Sequence, residues 1–471
     1  MSQVSRSLLR ARRLKLEPLE SRRVLAVVPT GFSDSIVADN LTSPVTMDIA
    51  DDGRVFVAFQ DGRIGVIEND SLNADVFAVL DTDGSGERGL QGLELDPDFA
   101  NNGYLYVYYT AASPASHNRV SRLTVDPATG STMLAGSEQV LLELPDLSTV
   151  SNPIWHMGGA VDFLHDGTLV AQVGDHQAAQ RSQNLDEPFG KVLRMNVDGT
   201  PATDNPYFNP VDGITYRDYV WSWGLRNPFS GDVDPESGRY FINDVGAGSW
   251  EEINEATASD ENFGWPTTEG NFNQNTFPNL TLPVHAYSHG DGCAVTGGAF
   301  YPTVNAQFPA EYQGKYFFSE FCASEIRVID PDNGAQSTDF ATGAGFPMNI
   351  EVGPDGSLYY ISRGAGAGGA PGIGTGEVRK IQYVANVPPT VSSDPHDVLV
   401  SIGQDATFSA SAFGTDPLSY QWQRLSERSN SFVDIAGATG PQFTLANALL
   451  ADDGARFRVR VANAYGSDVS E

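Results

Sequence analysis

The sequence predicts an all-β protein, a six-bladed β-propeller followed by a small immunoglobulin-like β-sandwich. Three observations lead to this prediction: a turn-and-strand unit that recurs six times, a composition rich in glycine and aromatic residues, and a tryptophan-centred pattern near the carboxyl end. The chain has 471 residues, of which 48 are glycine and 10% are aromatic. This composition is typical of turn-rich β proteins, and no long segment has the 3.6-residue periodicity of an amphipathic helix.

The recurring unit is a turn that ends in glycine, followed by a strand of apolar and aromatic residues. Glycine supplies the positive φ that tight hairpin turns require. The six turn glycines are Gly53, Gly103, Gly167, Gly238, Gly314 and Gly356. Six units of about 60 residues, nearly all strand and turn, predict the blades of a propeller.

Three segments are predicted along the chain: a basic, export-type segment at 1–28, the propeller at 29–385 and the immunoglobulin-like domain at 386–471. The last propeller strand, "GEVRKIQYV", is expected to pair with an N-terminal strand such as "DSIVAD". Closing the ring in this way removes exposed sheet edges. The stretch "NVPPTVSSDP" then serves as a linker.

The segment after the linker has the pattern of an immunoglobulin-like sandwich. Trp422 is predicted to be its core tryptophan, and Phe457 stands in the tyrosine-corner position. Ala410 and Val459 occupy the places of the usual disulfide cysteines, so this domain is expected to rely on apolar packing. The sequence stops at Glu471, before a full last strand, which predicts a truncated domain or an unconventional pairing.

Charge is distributed unevenly along the chain. The net charge is −32, but residues 1–23 hold seven basic residues against Glu17 and Glu20, so that segment is +5 and the remainder is −37. An acidic body argues against nucleic acid or an anionic membrane as partner, because phosphate binding needs a basic surface. It is compatible with cations and neutral substrates. No apolar run reaches the ~18 residues that span a bilayer.

The N-terminal stretch "LEPLESRRVLA" resembles a motif of exported bacterial surface proteins. We therefore expect a periplasmic, extracellular or cell-surface location, with a disordered basic arm as the alternative interpretation. Cys293 and Cys322 are the two cysteines, too few for a four-ligand zinc site. A disulfide that pins two adjacent strands fits an oxidising compartment, and free thiols are the alternative.

Several polar groups lie just outside predicted strands, where the loops of a propeller converge on its central channel. They comprise a base, a fixed cation, an amide, a carboxylate and a pair of backbone carbonyls. These residues are His156, Arg226, Asn227, Glu87, Gly246 and Ala247. Such a set could hold an anionic or quinonoid cofactor through a bridging Ca²⁺, which prefers oxygen ligands. An imidazole can remove a hydroxyl proton while hydride leaves the same carbon.

Long stretches of the chain are similar to one known family. They include "GERGLQGLELDPDFANNGYLYVYYT", "HMGGAVDFLHDGTLVAQVGD", "GLRNPFSGDVDPESG", "DVGAGSWEEINEA", "GCAVTGGAFYP" and "GKYFFSEFC". Residues 31–383 resemble, in order, the glucose/sorbosone dehydrogenase family. This family contains the pyrroloquinoline-quinone (PQQ)-dependent soluble aldose dehydrogenases and their hedgehog-interacting-protein-like relatives. The resemblance implies an oxidoreductase that takes a small sugar, PQQ, Ca²⁺ and an external electron acceptor.

The resemblance also implies individual roles. His156 matches the histidine that takes the proton from the anomeric hydroxyl of the sugar. Arg226 matches the arginine that polarises the quinone carbonyl, and Asn227 its neighbour near the cofactor. The carbonyls at 246–247 match those that hold the Ca²⁺. Glu87 stands where the glucose dehydrogenase branch has a cofactor-contacting glutamine.

Some positions depart from the family pattern. Trp155 replaces an aspartate, and Phe346 and Met348 replace two arginines that bind cofactor carboxylates. A cofactor-binding lysine is missing near Pro302, and Arg363 offers a partial substitute. Each lost charge-assisted contact costs ~1.5–3 kcal/mol, so PQQ would bind more weakly here than in the family's glucose dehydrogenases.

Two functions are compatible with these residues. The first is quinone-dependent oxidation of the anomeric hydroxyl of an aldose or related alcohol, with His156 as general base. The alternative is a cofactor-free propeller that binds carbohydrate or protein at the cell surface. Two further stretches are given structural interpretations: His176 is expected in a surface loop, and "GAGAGG" from Gly364 is expected to be a flexible loop because no helix follows it.

Overall fold

Antiparallel sheets dominate the computed structural model, which describes residues 26–334, 336–364, 373–384, 387–415, 417–426 and 431–470. Six of these sheets follow one another along residues 32–383 and form the blades of a six-bladed β-propeller. The basic N-terminal segment, up to residue 25, and most of the "GAGAGG" stretch lie outside the described residues. The predicted all-β propeller is confirmed.

Each blade is an antiparallel sheet of four or five strands. The first strand of the chain, β1 (Phe32–Leu41), belongs to the last blade. Blade 1 contains β2 (Pro44–Ile49), β3 (Val55–Phe59), β4 (Arg63–Glu68), β5 (Ser71–Leu72) and β6 (Ala78–Val79). Blade 2 contains β7 (Leu90–Leu95), β8 (Tyr104–Ala111), β9 (His117–Thr124) and β10 (Gln139–Glu143). Blade 3 contains β11 (Gly158–Phe163), β12 (Leu169–Val173), β13 (Lys191–Met195) and β14 (Val220–Trp223).

The second half of the ring repeats this arrangement. Blade 4 contains β15 (Pro228–Val233), β16 (Tyr240–Asp244), β17 (Trp250–Glu255) and β18 (His285–Ser288). Blade 5 contains β19 (Val295–Phe300), β20 (Tyr316–Glu320), β21 (Glu325–Ile329) and β22 (Thr338–Thr342). Blade 6 contains β23 (Pro347–Val352), β24 (Leu358–Ser362) and β25 (Gly376–Tyr383), with β1 on its outer edge.

Helical segments are short throughout the described chain. They are α1 (Phe99–Asn102) and the 3₁₀ turns Leu147–Val150, Ala179–Gln183, Tyr216–Tyr219 and Leu450–Asp452. None of the described helices is long and apolar enough to cross a membrane.

The ring is closed by strands from opposite ends of the propeller sequence. The innermost strands β2, β7, β11, β15, β19 and β23 each pack against the next, and β23 packs against β2. Strand β1 pairs with β25 from Phe32 opposite Tyr383 to Leu41 opposite Gly376. A buried ion pair between Asp34 and Arg379 joins the same two strands. The predicted closure by an N-terminal strand is confirmed, and it leaves no open edge between the first and last blades.

The turn glycines of the recurring unit have the conformation for which they were assigned. All six adopt positive φ, between +64° and +88°. Apolar side chains then fill the space between neighbouring blades, as Tyr106, Tyr108, Val161 and Leu169 do between blades 2 and 3. Burying each such side chain contributes roughly 1.5–3 kcal/mol, so the ring is stabilised chiefly between its blades.

Five of the six innermost strands carry a carboxyl group that the surrounding protein desolvates. These axial carboxyls are Asp48, Glu94, Asp162, Asp232 and Glu351. Burial, and for most of them the charge of the others, raises the pKa of each, that of Asp162 to about 7. A ring of this kind favours protonated carboxyls in the folded state.

The disulfide between Cys293 and Cys322 is formed, with a Cα–Cα distance of 5.6 Å. Cys293 precedes β19 and Cys322 follows β20, and these two strands pair in blade 5. The predicted bridge between adjacent strands is therefore confirmed.

The described residues of the C-terminal module form eight strands: β26 (Thr390–Ser393), β27 (Ala406–Ser409), β28 (Ser411–Phe413), β29 (Ser419–Ser426), β30 (Ser431–Asp434), β31 (Gln442–Leu445), β32 (Phe457–Asn463) and β33 (Gly466–Val469). One sheet has the order β30-β29-β32-β33, and β26-β28 and β27-β31 are separate pairs. Trp422, Ala410 and Val459 share one buried cluster. The immunoglobulin-like classification stays a prediction.

Candidate active site

The predicted site residues lie at one end of the propeller, where the innermost strands of three consecutive blades begin. Glu87 lies three residues before β7, His156 two residues before β11, and Arg226 two residues before β15. The 246–247 segment follows β16, which runs antiparallel to β15 and so ends at the same side. The topology therefore brings together four segments that are far apart in the sequence.

His156 is held between an acid and a guanidinium. Its Nδ1 lies 2.7 Å from Asp175 Oδ1, and its Nε2 lies 2.8 Å from Arg226 Nη2. A guanidinium can only donate, so Nε2 must accept and carries the lone pair. Nδ1 therefore carries the proton and donates a hydrogen bond to the Asp175 carboxylate. This arrangement fixes the tautomer in which Nε2 is the basic atom, and 18% of the side chain remains exposed.

The backbone around His156 is tightly constrained. His156 has φ of +61°, a left-handed conformation that costs of order 1–3 kcal/mol for a residue other than glycine. Its N–H donates to Glu87 Oε2 at 2.6 Å. A Cβ on Gly174 would lie 2.1 Å from the His156 carbonyl oxygen, and a Cβ on Gly158 would lie 2.3 Å from the carbonyl oxygen of Gln172. Glycine at these two positions lets the backbone approach closely enough to seat the imidazole.

Arg226 is positioned by contacts other than an ion pair. Nη1 donates to the Val245 carbonyl oxygen at 2.7 Å, and the guanidinium lies 5.7 Å from the centroid of the Trp265 ring. Trp265 Nε1 donates to Asp175 at 2.8 Å. Trp265 therefore contacts both side chains that hydrogen-bond to the His156 ring, Asp175 and Arg226. Among the described residues no carboxylate forms an ion pair with the Arg226 side chain, so its positive charge is available to a ligand.

Asn227 links three of the four segments. Its Oδ1 accepts the Gly158 N–H at 3.0 Å, and its Nδ2 lies 3.3 Å from Glu87 Oε2. Its own N–H donates to Asp244, as does that of Arg226. Burial of Asp244 raises its pKa to about 7, although these two backbone hydrogen bonds oppose the rise. Asn227 thus acts as a scaffold that fixes the relative positions of Glu87 and the His156 loop.

The 246–247 segment presents its carbonyls away from the protein groups that bind its amides. The N–H groups of Ala247 and Gly248 both donate to Glu269 Oε1. Because a trans peptide directs N–H and C=O in opposite directions, the carbonyls of Gly246 and Ala247 both point away from Glu269. No donor in the described part of the chain reaches either oxygen. Two adjacent oxygens without donors are suitable ligands for a hard cation.

The positions that depart from the family pattern lie around the same site. Trp155 immediately precedes His156 and is 47% exposed. Met348 is buried, and Phe346 packs against Phe321 with ring centroids 5.2 Å apart. The Arg363 N–H donates to the Phe346 carbonyl oxygen. The wall formed by blade 6 therefore offers one arginine beside two uncharged side chains.

Two residues of the site, Asp175 and Trp265, were not predicted from the sequence, and one histidine was misplaced. Asp175 contacts His156, and Trp265 contacts Asp175 and Arg226. His176 was expected in a surface loop, but it is buried with its Nε2 2.9 Å from Asn118 Nδ2 and its ring against Phe189. Burial lowers the pKa of His176 to about 3. The surface prediction is wrong because the chain turns inward after β12.

Comparisons with known proteins match most of the chain. The family model described as Glucose / Sorbosone dehydrogenase matches residues 41–368. The chain is 25% identical over 360 residues to the aldose sugar dehydrogenase YliI of Escherichia coli. The alignment covers 72% of this chain and 92% of that protein.

Solved structures show the same fold. The soluble aldose sugar dehydrogenase of Escherichia coli in its apo form has a TM-score of 0.63 at 23% identity, covering 75% of this chain and 99% of that one. The PQQ-bound aldose sugar dehydrogenase of Streptomyces coelicolor has a TM-score of 0.61 at 24% identity, covering 76% and 99%.

Proposed function

Because this chain belongs to the glucose/sorbosone dehydrogenase family, we propose that it oxidises the anomeric hydroxyl of an aldose or a related alcohol with a quinone cofactor. His156 is the general base in this proposal. The observation that carries it is the fixed tautomer of His156: Asp175 accepts a hydrogen bond from Nδ1, and the Nε2 lone pair accepts one from Arg226. A base that is oriented before the substrate arrives lowers the cost of reaching the transition state.

The residues present fit a quinone bound through Ca²⁺. The carbonyls of Gly246 and Ala247 lack donors among the described residues, and they would supply oxygen ligands to the cation. Arg226 forms no ion pair with any described carboxylate, and its guanidinium would hold the quinone carbonyl. Glu252 lies close enough to Asp244 and Glu269 to feel their charges, and burial raises its pKa to about 8. A protonated Glu252 carries no negative charge, so it does not repel an anionic ligand.

The side chains of the site divide the chemistry among them. His156 Nε2 takes the proton of the anomeric hydroxyl, and the Asp175 carboxylate stabilises the imidazolium that results. The incoming hydroxyl replaces Arg226 as the donor to Nε2, which frees the guanidinium to donate to a ligand oxygen. When bound, the quinone supplies the two-electron acceptor for the hydride that leaves the same carbon.

The substrate is a small sugar, and the electrons pass to an external acceptor. An exported location, in the periplasm, at the cell surface or outside the cell, is supported by the Cys293–Cys322 disulfide, since such bonds persist in oxidising compartments.

The test is reconstitution of the purified protein with PQQ and Ca²⁺, followed by dye reduction with a panel of aldoses. We expect His156→Ala to lower kcat by about 10²–10⁴-fold, the usual contribution of a general base. His165→Ala is the matched control, because His165 is exposed and its Nε2 lies 2.9 Å from the Pro235 carbonyl oxygen, outside the site. Activity that survives His156→Ala would remove His156 as the base.

A second candidate is a propeller without cofactor that binds carbohydrate or protein. It is favoured by Phe346 and Met348, which stand where the family's glucose dehydrogenases have arginines. In the same reconstitution, wild-type protein that neither binds PQQ nor reduces dye with any aldose would favour this second candidate.

A further inference from the structure

Arg363 is a half-buried arginine whose side chain forms no ion pair with the described residues. It follows β24 in blade 6, and its Nη2 donates to Gln60 Oε1 in blade 1 at 2.7 Å. Its Nη1 lies 3.7 Å from Met348 Sδ. Its Nε is buried and has no hydrogen-bond partner among the described residues. A guanidinium with an unused, buried N–H is an exception in a folded protein and calls for an explanation.

The four arginines of the described propeller that are more fully buried than Arg363 are all ion-paired. Arg88 pairs with Asp83, Arg194 with Asp166 and Asp204, Arg327 with Glu325, and Arg379 with Asp34 and Glu377. Within the described chain no such contact is made by Arg363. Burial lowers its pKa, and Glu87 is the charge that opposes this effect. The structure thus accepts a desolvated positive charge at this point without supplying a direct counter-charge.

Arg363 is connected to the site around His156. Gln60, which accepts its hydrogen bond, donates in turn to the carbonyl oxygens of Gly86 and Arg88. These residues flank Glu87, whose carboxylate accepts the His156 N–H. The guanidinium therefore lies on the wall that faces Glu87, separated from it by a single glutamine side chain.

We propose that Arg363 binds a carboxylate of the ligand that occupies this site, in place of the charges absent at Phe346 and Met348. The inference rests on the proposed function for the identity of that ligand, PQQ. The planar fork of a guanidinium matches a carboxylate through two parallel hydrogen bonds, and Nε is one of the atoms that can form them. Arg363 contacts both replaced positions, Met348 through its side chain and Phe346 through its backbone.

This role can be tested without measuring activity. PQQ is titrated into the Ca²⁺-loaded apoprotein, and its binding is measured by the quenching of tryptophan fluorescence. We expect Arg363→Gln to raise the Kd for PQQ by about 10- to 150-fold, the effect of losing one charge-assisted contact. Arg363→Lys keeps the charge but not the fork and should raise it by a smaller factor. Arg122→Gln is the matched control, because Arg122 also donates to a glutamine oxygen but on β9, outside the site.

Two further measurements make the result specific. The trimethyl ester of PQQ has no carboxylates, so wild type and Arg363→Gln should bind it equally. The thermal midpoint of the apo variant should change little, since the substitution removes one hydrogen bond to Gln60 but also a buried N–H that has no described partner. Kd values for PQQ within about twofold of wild type in both Arg363 variants would overturn the inference and leave the proposed function standing. Wild-type protein that does not bind PQQ would overturn both.

Discussion

The Asp175 carboxylate gives the sharpest test of how the candidate site works. Its side chain is 1% exposed and accepts three hydrogen bonds: from His156 Nδ1 at 2.7 Å, from the Gln177 N–H at 2.7 Å and from Trp265 Nε1 at 2.8 Å. The first two reach Oδ1 and the third reaches Oδ2. Both oxygens must therefore accept, which a carboxylate can do and an amide cannot.

Asp175→Asn forces one of two faults. If the amide oxygen faces His156, the NH₂ group faces the Trp265 N–H and a charge-assisted bond to the imidazole becomes a neutral one. If the amide is reversed, its NH₂ group faces Nδ1 and moves the imidazole proton to Nε2, which removes the base. The weaker fault costs ~1.5–3 kcal/mol, or about 10- to 150-fold in kcat. The second fault would cost more.

The assay is steady-state dye reduction at saturating sugar with the PQQ- and Ca²⁺-reconstituted protein. PQQ affinity and the thermal midpoint are measured in parallel, so that a loss of kcat is assigned to the base. Trp265→Phe is the control, because it removes a donor to the same carboxylate but keeps its charge, and we expect a loss of less than tenfold. An Asp175→Asn protein that binds PQQ normally and keeps kcat within about twofold of wild type would refute the reasoning.

Two predictions concern stability. The pKa of Asp162 is about 7 in the folded protein and 3.8 when unperturbed, so this group stabilises the fold at low pH and loses that effect as pH rises towards 7. Urea unfolding of Asp162→Asn should therefore show a smaller fall in free energy from pH 5 to pH 8.5 than wild type, by about 1–3 kcal/mol. The exposed Asp75→Asn is the control, and parallel curves for Asp162→Asn and wild type would contradict the prediction. The disulfide closes a loop with a sequence separation of 29, so Cys293→Ser/Cys322→Ser should lower the unfolding free energy by about 3–4 kcal/mol. A urea midpoint of the wild-type protein that does not change on addition of reductant would contradict this stabilising effect of the disulfide.

The fold was predictable because its signals are local. In each blade a glycine turn leads from the first strand into a buried second strand, and both features can be recognised within about ten residues. Closure was also predictable, since an unpaired edge at Gly376–Tyr383 requires a partner. The short strands β5 and β6 in blade 1 carry no such signal, because two-residue pairings depend on the neighbouring structure rather than on propensity.

The site was predictable only where its residues stand beside glycine or before a strand. Asp175 was missed because it meets His156 in the loops beyond the paired strands. The register of β11 with β12 shifts between Gly158 and Val161 and ends at Gly158 opposite Val173. Beyond that point His156 and His176 have positive φ, and the His176 N–H donates to the His156 carbonyl oxygen. A single sequence does not reveal such loop geometry.

The β1–β25 pairing also has a consequence for biosynthesis. Asp34 and Arg379, which form the ion pair between these strands, are 345 positions apart. Strand β1 is therefore synthesised early and has no pairing partner until β25 has been made. Blades 1 to 5 can assemble while the polypeptide is still emerging, and the wall that carries Arg363 joins the one that carries His156 only when translation has passed residue 383. A nascent or prematurely terminated chain would then be a ring with a gap, unable to bind a ligand across blades 6 and 1.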